Sequence, residues 1–403
     1  MNKLKIINDP VYGFVNIPGE LIFDIIQHPY FQRLRRISQM GLSYLVYPGA
    51  HHTRFHHAIG AMHLMQTALN VLKFKEIDIS PEEEQAALIA ILLHDIGHGP
   101  FSHALEYSII DNVSHEEISL NLMQKINEDF NGQLDLAIEI FQGRYPKKFL
   151  SELISSQIDV DRLDYLRRDS FYSGVIEGQV NSERLIKMLN VVDNQLVIDE
   201  KGIYSVEKFI ISRRLMYWQV YFHKTSLMLE KILEKILIRV KDLNLQNQPV
   251  FLDENLSYLF NNQFNVVNQK SLEIFTKLDD SDILYHIKKW TKSSDFILSY
   301  LSNMVINRTH LNKILIQKEP FSTSLIKELQ QKTINKFKIN PENVDYLLFN
   351  GKLTHRAYHK EKSPVKLLTK NHQLIEFSEA SDQHNIEALS QPVKKYFLSY
   401  PNI

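Results

Sequence analysis

The chain has 403 residues, no cysteine, 17 histidines and a formal net charge of −1. Without cysteine it has no disulfide, no thiolate metal site and no cysteine nucleophile, and its near-zero charge argues against a dedicated nucleic-acid binder, which carries a basic excess. At 44% hydrophobic and 23% charged, the composition is that of a soluble globular protein able to bury a sizeable core.

In chain order, the opening MNKLKIINDPVYG has no apolar run behind its lysines, so no secretory leader is expected, and no later run reaches membrane-spanning length. A cytoplasmic, membrane-free protein is the expectation. A helix is predicted from Phe55 to Phe74, with Ile59, Met62, Leu69 and Leu72 at helical spacing. The next, Pro81–His94, has Ser80 as N-cap, Pro81 at its first position and acids in its first turn. Its later part is apolar on nearly every side, the mark of a buried helix, and Gly97, Gly99 and Pro100 end it. One helix is expected from Leu150 to about Arg168 and another from Val206 to Val240. Between them QLVID, followed by KGIYSV around Gly202, reads as a hairpin. Amphipathic helices fill Ser257–Lys318. Near Pro320 the pattern changes: VKLLTK and HQLIEF alternate like strands, and PVKKYFLSY reads as a helix. A core of residues 1–320 and a smaller α+β lobe of 321–403 are expected. The sequence shows no internal repeat or long linker.

Nine of the 17 histidines fall between His51 and His115. Imidazole is the commonest ligand for divalent transition metals, and without thiolate any metal here must use nitrogen and oxygen. His94 and Asp95 follow a fully apolar run, where a carboxylate needs a strong partner. His98 and His103 lie in the loop HDIGHGPFSH, whose glycines let several imidazoles converge. In HHTRFHH only one of His56 and His57 needs to face inward, and His57 precedes the apolar stripe. Downstream, Ile154, Ile158, Asp161 and Tyr165 fall on one stripe of the expected helix, which puts a carboxylate on an apolar face. Pairing of Asp161 with Arg162 or Arg167 is an equally good reading of that residue alone. Together His57, His94, Asp95 and Asp161 supply two nitrogens and two oxygens, a set suited to an octahedral divalent ion.

A histidine, a distant His-Asp pair and a later aspartate form the pattern of the HD-domain phosphohydrolases. The blocks INDPVYG, FQRLRRISQMG, YPGAHHTRFHHAIG, LLHDIGHGPFSH, SHEEIS, DVDRLDYLRRD and YFHK run in order from Ile7 to Lys224. They resemble the deoxynucleoside triphosphate triphosphohydrolase branch, which includes bacterial dGTPases and the vertebrate SAM-and-HD-domain enzymes. The resemblance implies a mainly α fold, an HD-domain helical core with a small α+β C-terminal lobe. It implies one divalent metal ion, magnesium, manganese, iron, nickel or zinc, on His57, His94, Asp95 and Asp161. His98, His103, Glu106 and His115 match the groups around the scissile bond, with His103 and Glu106 as a pair able to protonate the leaving oxygen. Arg54, Arg162 and Arg213 match triphosphate contacts, a role suited to planar guanidinium groups. Tyr165 matches the residue that closes against the sugar's 2′ carbon, and Gln39 and Asp169 match those that hold the 3′-hydroxyl. Tyr217 and Tyr221 fall on the base side. Asn8, Gln32 and Arg35 match a regulatory nucleotide pocket, although Gln27 stands where that pocket carries a guanine-reading aspartate.

The implied reaction is hydrolysis of dGTP, or dNTPs generally, to deoxynucleoside and inorganic triphosphate. The implied partners are a deoxynucleotide substrate, an activating nucleotide and further copies of the chain in a homodimer or homotetramer. Two alternatives stay open: a phosphohydrolase acting on nucleoside monophosphates or cyclic nucleotides, and a non-catalytic HD protein binding single-stranded nucleic acid through Arg184–Lys241.

Overall fold

The computed structural model describes residues 5–101, 104–105, 108, 113–262, 264–361, 363–382 and 389–403. The fold is mainly helical, as expected, with small sheets concentrated toward the C-terminus. A short antiparallel hairpin, β1 (Ile6–Asp9) and β2 (Gly13–Asn16), comes first. Two central helices follow, α1 (Arg54–Phe74) and α2 (Pro81–Leu93). Ser80 and Glu83 form a reciprocal capping box at the start of α2, which satisfies two of the amides every helix start leaves open. Ala87 and Leu88 through Leu93 are buried, so α2 is the enclosed helix that its pattern predicted. Helix α3 (His115–Asp129) is capped in the same way, by Ser114 and Glu117.

The helix expected from Leu150 to Arg168 is instead two, α4 (Lys148–Ile154) and α5 (Val160–Ser173). Asp159 is the reason: its carboxylate accepts from the backbone amides of Ser156 and Arg162 and so caps a new start. Ile154 and Ile158 therefore do not share a helix with Asp161. The helix expected from Val206 to Val240 also divides, into α6 (Ile203–Met216), a π turn over Tyr217–Tyr221, and α7 (Lys224–Leu245), whose N-cap is the His223 side chain.

The hairpin lies one segment earlier than expected. Leu189–Val192 (β3) pairs with Gln195–Asp199 (β4), and the turn residues Asp193 and Asn194 both adopt positive φ, as a tight two-residue hairpin requires. KGIYSV starts α6 instead. Four helices spread over Glu254–Ile306 bear out most of the next expectation. Its last part, Lys313–Gln317, is instead a strand, held by ladder pairing with Tyr396–Tyr400 near the other end of the chain.

Strand β5 (Lys313–Gln317) and β6 (Phe349–His355) flank the last strand, β9 (Val393–Tyr400). PVKKYFLSY is thus a central strand and not a helix: it has ladder partners on both edges, and that long-range pairing overrides a local helical pattern. VKLLTK and HQLIEF do contain strands, β7 (Lys366–Leu368) and β8 (Leu374–Glu376). β7 adds in parallel to β4, so this sheet joins the early hairpin to the C-terminal region.

A candidate metal centre and its cavity

Helices α1, α2 and α5 bring four polar side chains together at the buried centre of the helical core. His57 is fully buried on α1 and His94 nearly so at the end of α2. His56, one position earlier, turns away and closes the capping box at Thr53. His57 Nδ1 lies 2.7 Å from Asp164 Oδ2, and His94 Nδ1 lies 2.6 Å from the Ile91 carbonyl oxygen. A carboxylate and a carbonyl can only accept, so both imidazoles donate from Nδ1. Each Nε2 is left facing inward, buried and without a hydrogen-bond partner.

These two nitrogens meet the two carboxylates. His57 Nε2 is 3.1 Å from Asp161 Oδ1 and 3.9 Å from Asp95 Oδ2, while His94 Nε2 is 3.5 Å from both Asp161 Oδ1 and Asp95 Oδ1. Donors 2.0–2.1 Å from a common octahedral ion stand about 3 Å apart along each edge, so the cluster is close to the size an ion requires. Orphaned imidazole nitrogens aimed at carboxylate oxygens, each ring held from behind through its other nitrogen, form a donor set that could hold a divalent metal. Burial opposes charge on His57, yet the adjoining carboxylates of Asp161 and Asp164 prevail and lift its pKa to about 10. Asp161, despite burial, is held well below the usual carboxylate range by His57 and His94. A second group, Asp95, His98 and His115, adjoins the first through Asp95.

Gly97 allows that adjacency. A Cβ at this position would stand 2.2 Å from the His115 carbonyl oxygen and 2.3 Å from the Ser119 amide nitrogen, so only glycine lets the loop after α2 lie against the start of α3. Ser119 Oγ completes the junction, accepting from the Gly97 amide and donating to the His94 carbonyl. As a result His98 and His115 stack with ring centroids 4.0 Å apart. Burial and the neighbouring Arg54 charge hold His98 well below the ordinary imidazole value. His103 and Glu106 lie outside the described residues.

From this centre opens a cavity of about 560 Å³. Its wall includes Arg54, Asp95, His98, His115 and Asp161, and continues through Gln39, Arg162, Tyr165, Asp169, Arg213, Tyr217 and Tyr221. His57 and His94 stand behind that wall. Arg54 Nη1 donates to Asp95 Oδ2 at 2.7 Å, and Arg162 pairs with Asp159, not with Asp161. Arg213 differs: it is buried, its Nη1 donates to the Ala357 carbonyl at 3.5 Å, and it has no carboxylate partner among the described residues. Tyr221 donates its hydroxyl to Asp169 Oδ2 at 2.6 Å, and His52, buried and stacked on Tyr172, bonds Asp169 Oδ1 at 2.7 Å. Asn8, Gln32 and Arg35 are not on this wall. Arg35 is exposed and donates to Gln32 Oε1 at 2.9 Å, and Asn8 is exposed on β1.

Three contributors escaped the sequence reading. Asp164 lies three residues after Asp161 in the same block, and its pairing with Arg168 at i+4 was a visible signal. His52 belongs to the histidine cluster but acts through a residue far along the chain. His355, at the end of β6, stacks on Tyr217 with centroids 3.8 Å apart, and no local pattern marks it.

Burial, with the charges of Arg213, His359 and Arg214, lowers the His355 pKa to about 4, against about 6.5 in an unfolded chain. The unfolded state therefore takes up this proton first as pH falls. The stability that neutral His355 contributes is complete above pH 6.5 and is lost between about 6.5 and 4. Relative to His355→Phe, the wild-type protein should lose about 2.5 kcal/mol of unfolding free energy between pH 7 and 4.5. Paired urea titrations at the two pH values measure this difference.

The fold and the centre define a helical protein with a buried imidazole–carboxylate cluster that could hold a metal ion. Residues 54–169 match the HD domain and residues 180–297 the HD associated region. YwfO of Bacillus subtilis, a protein described as uncharacterized, is 35% identical over 402 residues, covering 94% of this chain and 88% of that protein. A crystal structure titled phosphohydrolase, from Bacteroides thetaiotaomicron, superposes with a TM-score of 0.95 at 48% identity, covering 99% of this chain and 100% of the other. Human SAMHD1, named a deoxynucleoside triphosphate triphosphohydrolase, is 30% identical over 286 residues, and the match covers 60% of this chain and 45% of that protein. This chain thus matches about half the length of SAMHD1. It belongs to the HD-domain family. No helix among the described residues is long and apolar enough to cross a membrane.

Proposed function

We propose that this HD-domain phosphohydrolase cleaves deoxynucleoside triphosphates into deoxynucleoside and inorganic triphosphate. The observation that carries the reading is Arg213, a buried cation on the cavity wall whose partner is a neutral carbonyl. Burying an uncompensated guanidinium is costly, and an anion in the cavity offsets that cost. A monophosphate held at the metal centre would need no third arginine beside Arg54 and Arg162. A triphosphate, with its larger charge, does.

His57, His94, Asp95 and Asp161 would hold the divalent ion, which supplies a Lewis acid for a phosphoryl oxygen and lowers the pKa of water. Arg54, Arg162 and Arg213 bind the phosphate chain by charge-assisted hydrogen bonds and orient it for in-line attack. Water adds at the α-phosphorus, the bond from that phosphorus to the 5′-oxygen breaks, and the 5′-oxygen takes a proton. His115, with Glu116 at 3.3 Å, and the His103–Glu106 pair are the groups assigned to deliver it. His98, neutral and stacked on His115, orients that ring. Tyr165 crowds the sugar at C2′ and so rejects a ribose hydroxyl, which would find neither room nor partner. Asp169, fixed by His52 and Tyr221, accepts from the 3′-hydroxyl beside Gln39.

The test is product analysis. The Mn²⁺-loaded protein incubated with each dNTP should release triphosphate and the free deoxynucleoside. Release of orthophosphate or pyrophosphate, or turnover confined to monophosphates or cyclic nucleotides, would refute the reading.

A further inference from the structure

The support behind His57 continues well past its hydrogen-bonded partner. Asp164 accepts from His57 Nδ1 and, through both oxygens, from Arg168 Nε and Nη2 at 2.9 Å each. Arg168 uses its remaining nitrogen, Nη1, to donate to Asp9 Oδ2 at 2.7 Å. Asp9 Oδ1 in turn accepts from the backbone amides of Val11 and Tyr12, at 2.8 and 2.9 Å, in the turn between β1 and β2. The side chains of Asp164 and Arg168 are 0% exposed and that of Asp9 is 2% exposed. An unbroken line of alternating charge therefore runs from the N-terminal hairpin to an orphaned imidazole nitrogen at the metal centre.

Helix α1 makes room for that line at one residue. A Cβ on Gly60 would lie 2.0 Å from Arg168 Nη2 and 2.1 Å from Asp164 Oδ1. The Asp164–Arg168 pair fills the notch that the missing side chain leaves, one helical turn beyond His57. Stability alone is a weak reason for such an arrangement. Buried ion pairs barely repay their desolvation, and well-packed apolar side chains commonly replace them at no loss. What apolar residues could not do is hold the His57 ring at one angle and in one tautomer.

We propose that Asp9 and Arg168 are positioning residues for the metal centre: acting through Asp164 they fix His57, and the N-terminal hairpin and the bound ion are thereby energetically coupled. This rests on the reading of the His57 cluster as a metal site. Arg168 clamps the Asp164 carboxylate in the plane that meets Nδ1, and Asp9 clamps Arg168. The coupling is reciprocal: whatever factor the docked hairpin adds to metal affinity, the bound ion returns to hairpin docking.

The experiment uses Mn²⁺ as probe and the full-length protein. The Mn²⁺ dissociation constant is measured by electron paramagnetic resonance for wild type, Asp9→Asn and Asp24→Asn, an exposed acid serving as charge control. Amide exchange over residues 6–16 is followed with and without the ion. Loss of an outer partner of a metal ligand costs about 10- to 100-fold in affinity, and Asp9 acts at one further remove. Asp9→Asn should therefore weaken Mn²⁺ binding about 10-fold and Asp24→Asn should leave it unchanged. In wild type, saturating Mn²⁺ should slow exchange in the hairpin by a similar factor, about 10-fold.

An Asp9→Asn protein that binds Mn²⁺ as tightly as wild type would overturn the proposal and leave the metal reading intact. A wild-type hairpin whose exchange ignores the ion would do the same, and this measurement decides the matter if Asp9→Asn fails to fold. Wild-type protein that binds no Mn²⁺ would overturn both.

Discussion

Asp161→Asn should abolish turnover and metal binding together while leaving the fold in place. Asp161 Oδ1 is the oxygen approached by both orphaned imidazole nitrogens, at 3.1 and 3.5 Å, so it is the hinge of the donor set. An amide oxygen is a far poorer ligand than a carboxylate oxygen and brings no charge to balance the ion. A bound ion contributes several kcal/mol of transition-state stabilisation, and each 1.36 kcal/mol is tenfold in rate, so a loss of about 1,000-fold or more in kcat is expected. Binding an ion to the folded state raises the unfolding temperature. Wild type should therefore gain Tm on adding Mn²⁺ and Asp161→Asn should not. The pairing of the two readouts is the check: a variant that keeps the Mn²⁺-dependent gain in Tm would remove Asp161 from the ligand set.

Arg213→Gln is expected to act on a different quantity. Asp95 and Asp161 remain, so metal binding is preserved, but the cavity loses the cation that no carboxylate of the described residues neutralises. A hydrogen bond to a charged group contributes about 1.5–3 kcal/mol, so kcat/KM for a triphosphate should fall about 10- to 150-fold. Arg213→Glu should fall further, because attraction becomes repulsion in a site of low dielectric. Activity on an artificial phosphomonoester, which does not reach this arginine, should change much less. The ratio of the two losses separates a triphosphate contact from a general disturbance of the site. Equal losses on both substrates would count against the assignment.

Much of the centre was legible because its signals are local. A capped helix with a wholly apolar second half, ending in His-Asp, declares a buried polar terminus. Glycine after that pair permits convergence, and Gly97 does meet the backbone of α3. What was not legible depends on partners distant along the chain. Asp164 meets His57 across 107 residues, His52 meets Asp169 across 117 and Arg168 meets Asp9 across 159. No periodicity encodes such pairings. The broken helices show a related limit: Asp159 reads as one more polar residue on a helix until its carboxylate is seen capping Arg162. Likewise PVKKYFLSY carries a helical pattern that two flanking strands overrule.

The contact of His355 with Tyr217 and of Ala357 with Arg213 bears on how such proteins can be divided and recombined. The family matches span residues 54–169 and 180–297, yet part of the cavity's backing comes from beyond both, from the end of β6 and the residues just after it, and the ladder partner of β6 is close to the end of the chain. A fragment trimmed to the matched segments would keep every proposed metal ligand and still lack the support behind one aromatic wall and one buried arginine of the cavity. Grafting the C-terminal region of one relative onto the helical core of another would, on the same ground, exchange more than a scaffold: it would exchange the packing that sets the shape of the cavity.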